Sequence, residues 1–259
     1  MRFVSAALCC VARTLARGAG VFYYLAAGTL GLRELREGVE RRWADCHTRE
    51  SDVTAGLMPW ENDLVSKYVR AGDSVLIVGS GTGRELIALA DRGYRVTGVD
   101  PAHGPNVLAR RWLQDRKASA EIVEGFFEDV HLSDRFDVVM FSWCCYSYIP
   151  GSLRRISALQ KASAHLAKDG RILISYLPAA PLVHPALIRC ARMASTLSRS
   201  DWRPEPGDIV YPRESPEPRF HYEHRFETRE IDAEAVAAGL RVAFRRDYDD
   251  NVVIAIVPK

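Results

Sequence analysis

The chain has 259 residues, 47% of them hydrophobic and 26% charged, the profile of an ordinary globular protein that buries a core without disulfide or metal staples. Its formal net charge of +2 gives no electrostatic argument for nucleic acid or an acidic membrane as an obligatory partner. Six cysteines, Cys9, Cys10, Cys46, Cys144, Cys145 and Cys190, match neither a CxxC metal site nor an evenly spaced secreted framework, and they read as reduced thiols of a cytoplasmic chain.

Residues 1–33 carry Arg2, Arg13, Arg17 and Arg33, no acid, and an apolar stretch from Ala19 to Leu32. Arg13 and Arg17 interrupt the candidate apolar region, and the stretch after them is about 14 residues, short of the roughly 20 that cross a bilayer. The expectation is a helical N-terminal extension or cap over residues 1–70, with peripheral membrane contact through residues 1–33 as the competing reading.

From Ser74 the pattern alternates short β-branched runs with helical stretches, the signature of parallel βαβ units. Strands are expected at Ser74 to Val78, Tyr94 to Asp100, Ala120 to Gly125, Phe136 to Ser142 and Arg171 to Leu177. Helices are expected at Arg84 to Asp91, about Asn106 to Arg116, and Leu153 to Leu166, the last ending at Lys168-Asp169-Gly170. Pro178 to Pro218 holds eight of the 13 prolines, and those at 204, 206, 212, 216 and 218 argue against a regular element there. An insertion at about 178–225 is expected within a domain spanning 71–259. A helix from about Glu230 to Ala238 then leads to Leu240 to Tyr248 and Asn251 to Val257, joined so tightly that the two strands pair antiparallel.

The first strand runs into Gly79-Ser80-Gly81-Thr82-Gly83, and Asp100 ends the second. A strand, a glycine turn and a helix N-terminus let backbone N–H groups approach a ligand, and an acid about 20 residues on can accept both hydroxyls of a ribose. A dinucleotide oxidoreductase would usually show GxGxxG, whereas this loop reads GxGxG.

In that loop and acid the chain resembles class I S-adenosylmethionine (SAM)-dependent methyltransferases, over roughly Asp73 to Lys259. The resemblance implies an α/β fold with a Rossmann-like, seven-stranded, mostly parallel sheet, an antiparallel C-terminal strand and helices on both faces. It implies SAM as cofactor and S-adenosylhomocysteine as product. Gly79, Gly81 and Gly83, with Ser80, would pack against the amino-acid part of SAM. Asp100, followed by Pro101, would bind the ribose, Phe127 and Glu128 would lie near the adenine, and Phe141 and Ser142 would line the methyl end. Gly56-Leu57-Met58-Pro59-Trp60-Glu61 is similar to a segment of thiopurine and tellurite-resistance methyltransferases.

Acceptor contacts are expected from Trp60, Trp143, Tyr146 and Tyr148, and His221 or His224 is the first candidate for a general base. The region after the fourth strand lacks the Asn/Asp-Pro-Pro-Tyr/Phe motif of amino-methylating DNA enzymes, and no metal constellation is visible. The reading is methyl transfer to an O, S or N nucleophile of a small molecule by direct in-line displacement, with no nucleic-acid partner. A non-catalytic methyltransferase-like binding protein and an NAD-dependent oxidoreductase are the alternatives. Oligomeric state has no signature in the sequence.

Overall fold

The computed structural model describes residues 18–44, 49–179, 184–213 and 219–259. In chain order the helices are α1 (residues 18–28), α2 (Leu32–Ala44), α3 (Glu50–Thr54) and α4 (Pro59–Tyr68). The alternating part follows as β1 (Ser74–Val78), α5 (Arg84–Ala90), β2 (Arg95–Asp100), α6 (His103–Asp115), β3 (Ala120–Glu124) and β4 (Phe136–Phe141). A 3-10 turn (Cys145–Tyr148), α7 (Ser152–Ala164) and β5 (Leu166–Tyr176) come next. The chain closes with α8 (Pro185–Ser198), β6 (Asp208–Arg213), β7 (Arg219–His224), α9 (Thr228–Ala237), β8 (Leu240–Asp247) and β9 (Val252–Pro258).

Seven strands form one sheet in the order β3-β2-β1-β4-β5-β9-β8. The first five pair in parallel, and β9 runs antiparallel to both β5 and β8. Because successive strand residues face opposite ways, one strand feeds two cores. Leu76 and Val78 of β1 join Val139, Phe141, Ile172, Ile254 and the buried face of α7 and α9. Val75 and Ile77 join Met140, Leu173, Val253 and the buried face of α4 and α5. Burial on both faces explains why these strands read as unbroken apolar runs.

Two expectations are corrected. The helix before β5 ends at Ala164, with His165 as its cap, and does not reach Lys168-Asp169-Gly170. Strand β5 already begins at Leu166, paired with Phe136, and residues 167–170 loop out before Arg171 meets Val138. Asp169 takes a left-handed φ of 62° there, so this turn belongs to a bulge in the strand. The proline-rich insertion, in turn, holds regular structure. Pro185 opens α8 in its first turn, where a missing N–H costs nothing. Strands β6 and β7 form a separate two-stranded antiparallel sheet that contains Pro212, which a two-stranded ribbon tolerates because each strand keeps an open edge.

A third cluster, Ala27, Leu35, Trp202, Val210 and Tyr222, joins α1 and α2 to this ribbon. Helix α2 lies so close to β7 that a Cβ at Gly38 would sit 2.4 Å from the carbonyl oxygen of Phe220.

Candidate active site

The glycine loop leaves β1 with its first two N–H groups, of Gly79 and Ser80, both donating to the Val99 carbonyl at the end of β2 (2.8 and 3.2 Å). Gly79, Gly81 and Gly83 all have positive φ. Gly83 caps α5 and faces Ala109 on α6, so it serves helix packing and does not reach the cleft. The Asp100 carboxylate accepts from the N–H of Gly81 and of Ala102, each at 2.9 Å, and is almost fully buried. Burial raises its pKa, against the pull of those two N–H groups and with a smaller push from Glu40.

In front of the loop lies a cleft enclosing about 1180 Å³ of space, its open mouth included. Gly79, Ser80, Gly81, Asp100, Pro101, Phe127, Glu128 and Ser142 all line it, as the sequence leads one to expect, together with Trp143 and Tyr148. Phe141 does not: it is fully buried behind the cleft, its ring edge-on to Phe127 and to Tyr146. Tyr146 is also fully buried, stacked on Phe226, with its hydroxyl donating to Glu234 (2.8 Å). Trp60 packs in the core on the opposite face of the sheet. Neither residue lines the cleft.

The histidines stand outside the cleft as well. His224 is buried with Nδ1 at 2.7 Å from Asp208 and Nε2 at 2.9 Å from Glu230. His221 is buried beside Glu223, its ring 5.6 Å from that of Tyr148. Glu205, His224 and Glu230 bring ligand-type atoms within 4.8 Å of one another. The guanidinium of Arg155 already sits against both carboxylates, at 3.0 and 3.4 Å, so a cation is built into this cluster.

The cleft's roof is formed by residues that carry no signal in the sequence. Arg36, Val39, Glu40 and Trp43 all line it; their i, i+3, i+4, i+7 spacing puts them on one face of α2. Arg36 lies over the Phe126 ring (3.9 Å) and pairs with Asp129, and Trp43 meets Tyr148 edge-on (5.3 Å). On the floor, Arg84 forks onto Glu61 (2.6 and 2.7 Å) and also donates to Glu85 (2.6 Å), which accepts from Ser142 too. Burial and the neighbouring Glu85 push the Glu61 carboxyl up, while two facing carboxylates keep Arg84 charged.

Trp143 and Cys144 are consecutive non-glycine residues at positive φ (38° and 58°), a conformation that persists only where surroundings hold it. The N–H of Cys144 is held by Ser175 (2.8 Å), and Trp143 is thereby left half-exposed, above Arg84. Burial pushes the Cys144 thiol up to about 12 and the Cys145 thiol well above its ordinary value, as small hydrophobes rather than nucleophiles. Cys144, Cys145 and Cys190 are free thiols; Cys9, Cys10 and Cys46 lie outside the described residues.

Comparison with known proteins agrees with this geometry. Residues 75–170 match the methyltransferase-domain family model. A cypemycin N-terminal methyltransferase from a Streptomyces species is 33% identical over 116 residues, 45% of each chain. The chain spans about half the length of the curated relatives it matches, 45% of one and 55% of another. Among solved structures, the CcbJ methyltransferase of Streptomyces caelestis superposes with a TM-score of 0.60 at 19% identity, covering 82% of this chain and 97% of that one. The glycopeptide N-methyltransferase MtfA, solved with SAM, gives 0.54 at 17% identity, covering 77% and 86%. Residues 75–170 thus match a methyltransferase domain, and the sheet order is that of the fold of solved SAM-dependent methyltransferases.

Proposed function

We propose that this chain binds SAM in the cleft between the glycine loop and α2, and transfers its methyl group by direct in-line displacement to a nucleophile of a small molecule, with nitrogen as the favoured atom among O, S and N. The observation that carries the choice is the charge of the lining. Five carboxylates, Glu40, Asp52, Glu85, Asp100 and Glu128, line the cleft; among the described residues its cationic lining is Arg36 and Arg84, and of the carboxylates Glu85 is paired with Arg84 and Glu128 with Arg154 (3.2 Å), which leaves the excess on Glu40, Asp52 and Asp100. Both guanidiniums are already neutralised, by Asp129 and by Glu61 with Glu85. An acidic cleft walled by Trp43, Trp143 and Tyr148 suits a cationic amine, which carboxylates and ring faces both attract. The name of the cypemycin N-terminal methyltransferase, 33% identical over 116 residues, supports a nitrogen acceptor.

The residues fit the cofactor: a Cβ at Gly81 would meet no atom within 4 Å, so the backbone there is open to a ligand. Asp100 keeps lone pairs for ribose hydroxyls beyond the two N–H groups it accepts. SAM supplies the activated methyl on a sulfonium when bound. What the chain supplies is orientation and exclusion of water: α2 above, Trp143 at the side, and Ser142 fixed by Glu85 at the end of β4. An amine arriving as ammonium passes a proton to water at the open mouth of the cleft before it attacks; its nitrogen would then form the N–C bond as the sulfonium S–C bond breaks, with S-adenosylhomocysteine as the leaving group. The two histidines, screened from the cleft, act on the acceptor only through the segments they brace.

The test is labelled-methyl transfer from SAM to matched amine, alcohol and thiol acceptors, with wild type and Glu40→Gln. Turnover confined to amines is expected, with KM for a cationic amine raised about five- to tenfold in the variant, the order of one surface-proximal charge interaction. Equal or faster methylation of a neutral alcohol or thiol would overturn the nitrogen assignment. Failure to bind SAM by calorimetry would overturn the whole proposal.

A further inference from the structure

A helix on the surface of a globular protein normally turns charge toward water. Helix α1 turns apolar side chains alone toward water, and α8, which packs against it, turns out large apolar side chains together with arginine. In α1, Ala19, Phe22, Tyr23 and Ala26 lie at i, i+3, i+4 and i+7 and are all exposed, Phe22 to 74%. The helix over residues 18–28 contains no charged residue. Its other side, Gly20, Tyr24 and Gly28, lies against Leu187, Ile188 and Ala191 of α8, closely enough that a Cβ at Gly28 would collide with the Ala191 carbonyl.

Helix α8 repeats the arrangement with charge added. Ile188, Ala191 and Ser195 are buried, while Arg189, Arg192, Met193, Thr196 and Leu197 share the exposed face, Leu197 to 78% and Met193 to 57%. Residues 1–33 and 178–200 together hold seven arginines and no acid; Arg2, Arg13 and Arg17 of these lie outside the described residues. Asp201, the first acid after α8, accepts from the N–H of Leu32 (2.7 Å). Scattered apolar side chains on a surface need no explanation, but large apolar groups on two packed helices, accompanied by positive charge alone, are the signature of a helix that lies in a lipid interface. Among the described residues no helix is long and apolar enough to cross a membrane.

We propose that the exposed faces of α1 and α8 form one docking surface for an anionic lipid bilayer. Phe22, Tyr23, Met193 and Leu197 enter the boundary between headgroups and acyl chains, and the exposed Arg189 and Arg199 meet the lipid phosphates, whereas Arg192 is held by the Pro204 carbonyl (2.7 Å) and Arg33 by Glu37 (2.9 Å). The surface is separate from the cleft, so it governs where methyl transfer takes place rather than the transfer itself.

Vesicle co-sedimentation of the full chain tests this, using phosphatidylcholine vesicles with and without about one third phosphatidylserine. Binding only to the anionic vesicles is expected, weakened by salt as screening shortens. Arg189→Gln should cost about fivefold in partitioning, the worth of one basic residue near such a surface. Phe22→Ser with Leu197→Ser should abolish it, with thermal stability and SAM binding unchanged because both side chains are exposed. Equal binding to neutral vesicles, or binding that survives the double substitution, would overturn the proposal. So would a dimer in sedimentation velocity that the double substitution dissolves while vesicles bring down no protein, which would assign the surface to a second copy.

Discussion

A methyl group added at Gly79 would lie 2.9 Å from Cβ of Cys145, whereas one added at Gly81 would meet nothing within 4 Å. Both backbones are left-handed, at φ 79° and 49°, which costs an L residue about 1–2 kcal/mol. The two substitutions nevertheless act through different routes. Gly79→Ala forces the 3-10 turn away from β1 and should lower the melting temperature clearly, by overpacking on the order of 1–3 kcal/mol beyond the backbone cost. Gly81→Ala should cost only the backbone term in stability but at least tenfold in SAM affinity, because its methyl enters the cleft. Calorimetric unfolding and SAM titration of the pair check this, and equal losses of affinity at equal stability would contradict it. At this scale the sequence was informative where chemistry is local: the glycine loop and Asp100 are read from spacing alone. It did not separate core from cleft for Trp60 and Tyr146, both expected at the acceptor and both found in the core, since an aromatic residue near a cleft serves core or ligand according to contacts such as Glu234 and Phe226, which lie 80 or more residues away along the chain from Tyr146.

The ribbon β6–β7 is tied to the rest of the molecule by charge as well as by packing. Asp208 on β6 accepts from the Tyr222 hydroxyl (2.8 Å), and Glu205 just before β6 accepts from the N–H and hydroxyl of Ser152 at the start of α7. His224 of β7 bridges Asp208 to Glu230 of α9, with Glu205 and the buried Arg155 of α7 beside it. Burial alone would lower the His224 pKa, and Arg155 pushes the same way, but the hydrogen bonds to Asp208 and Glu230 outweigh both and hold it above the ordinary imidazole value of 6.5. With carboxylates on both ring nitrogens, His224 is an imidazolium that donates twice. A folded pKa above the unfolded one means that the contribution is complete below about 6.5 and is lost as pH rises through the raised folded value. Urea midpoints from about pH 6 to about pH 9 should therefore fall for wild type, and fall less steeply for His224→Gln. Parallel pH profiles for the two would refute the bridging imidazolium. The ribbon itself was hidden in the sequence because prolines 204, 206 and 212 signal breaks wherever the strand has partners on both sides, and nothing local tells that β6 has only one.

On the scale of the whole chain, alternation of strand and helix was legible because each βαβ unit buries its own apolar run, and the antiparallel closure followed from a connection too short for a crossover. The docking of α2 was not legible. Its cleft face, Arg36, Val39, Glu40 and Trp43, reads in isolation as an ordinary mixed helix, and its position depends on Leu35, Trp202 and Tyr222 meeting in a cluster drawn from three distant segments. That dependence couples the ribbon, α2 and the cofactor cleft. A ligand that binds only the folded state adds RT ln(1 + [L]/Kd), about 2.7 kcal/mol at a hundredfold excess over Kd. If SAM sits beneath α2 as proposed, part of that stabilisation must appear in α2, although the helix lies outside the sheet. Hydrogen exchange with and without saturating SAM should show slower exchange of the α2 amides over residues 36–43 alongside those of the glycine loop, with the exposed helix α8 unchanged. Protection confined to the glycine loop and β2 would place the cofactor in an open cleft and remove α2 from the binding site, and with it the case for Glu40 as a recognition residue for the acceptor.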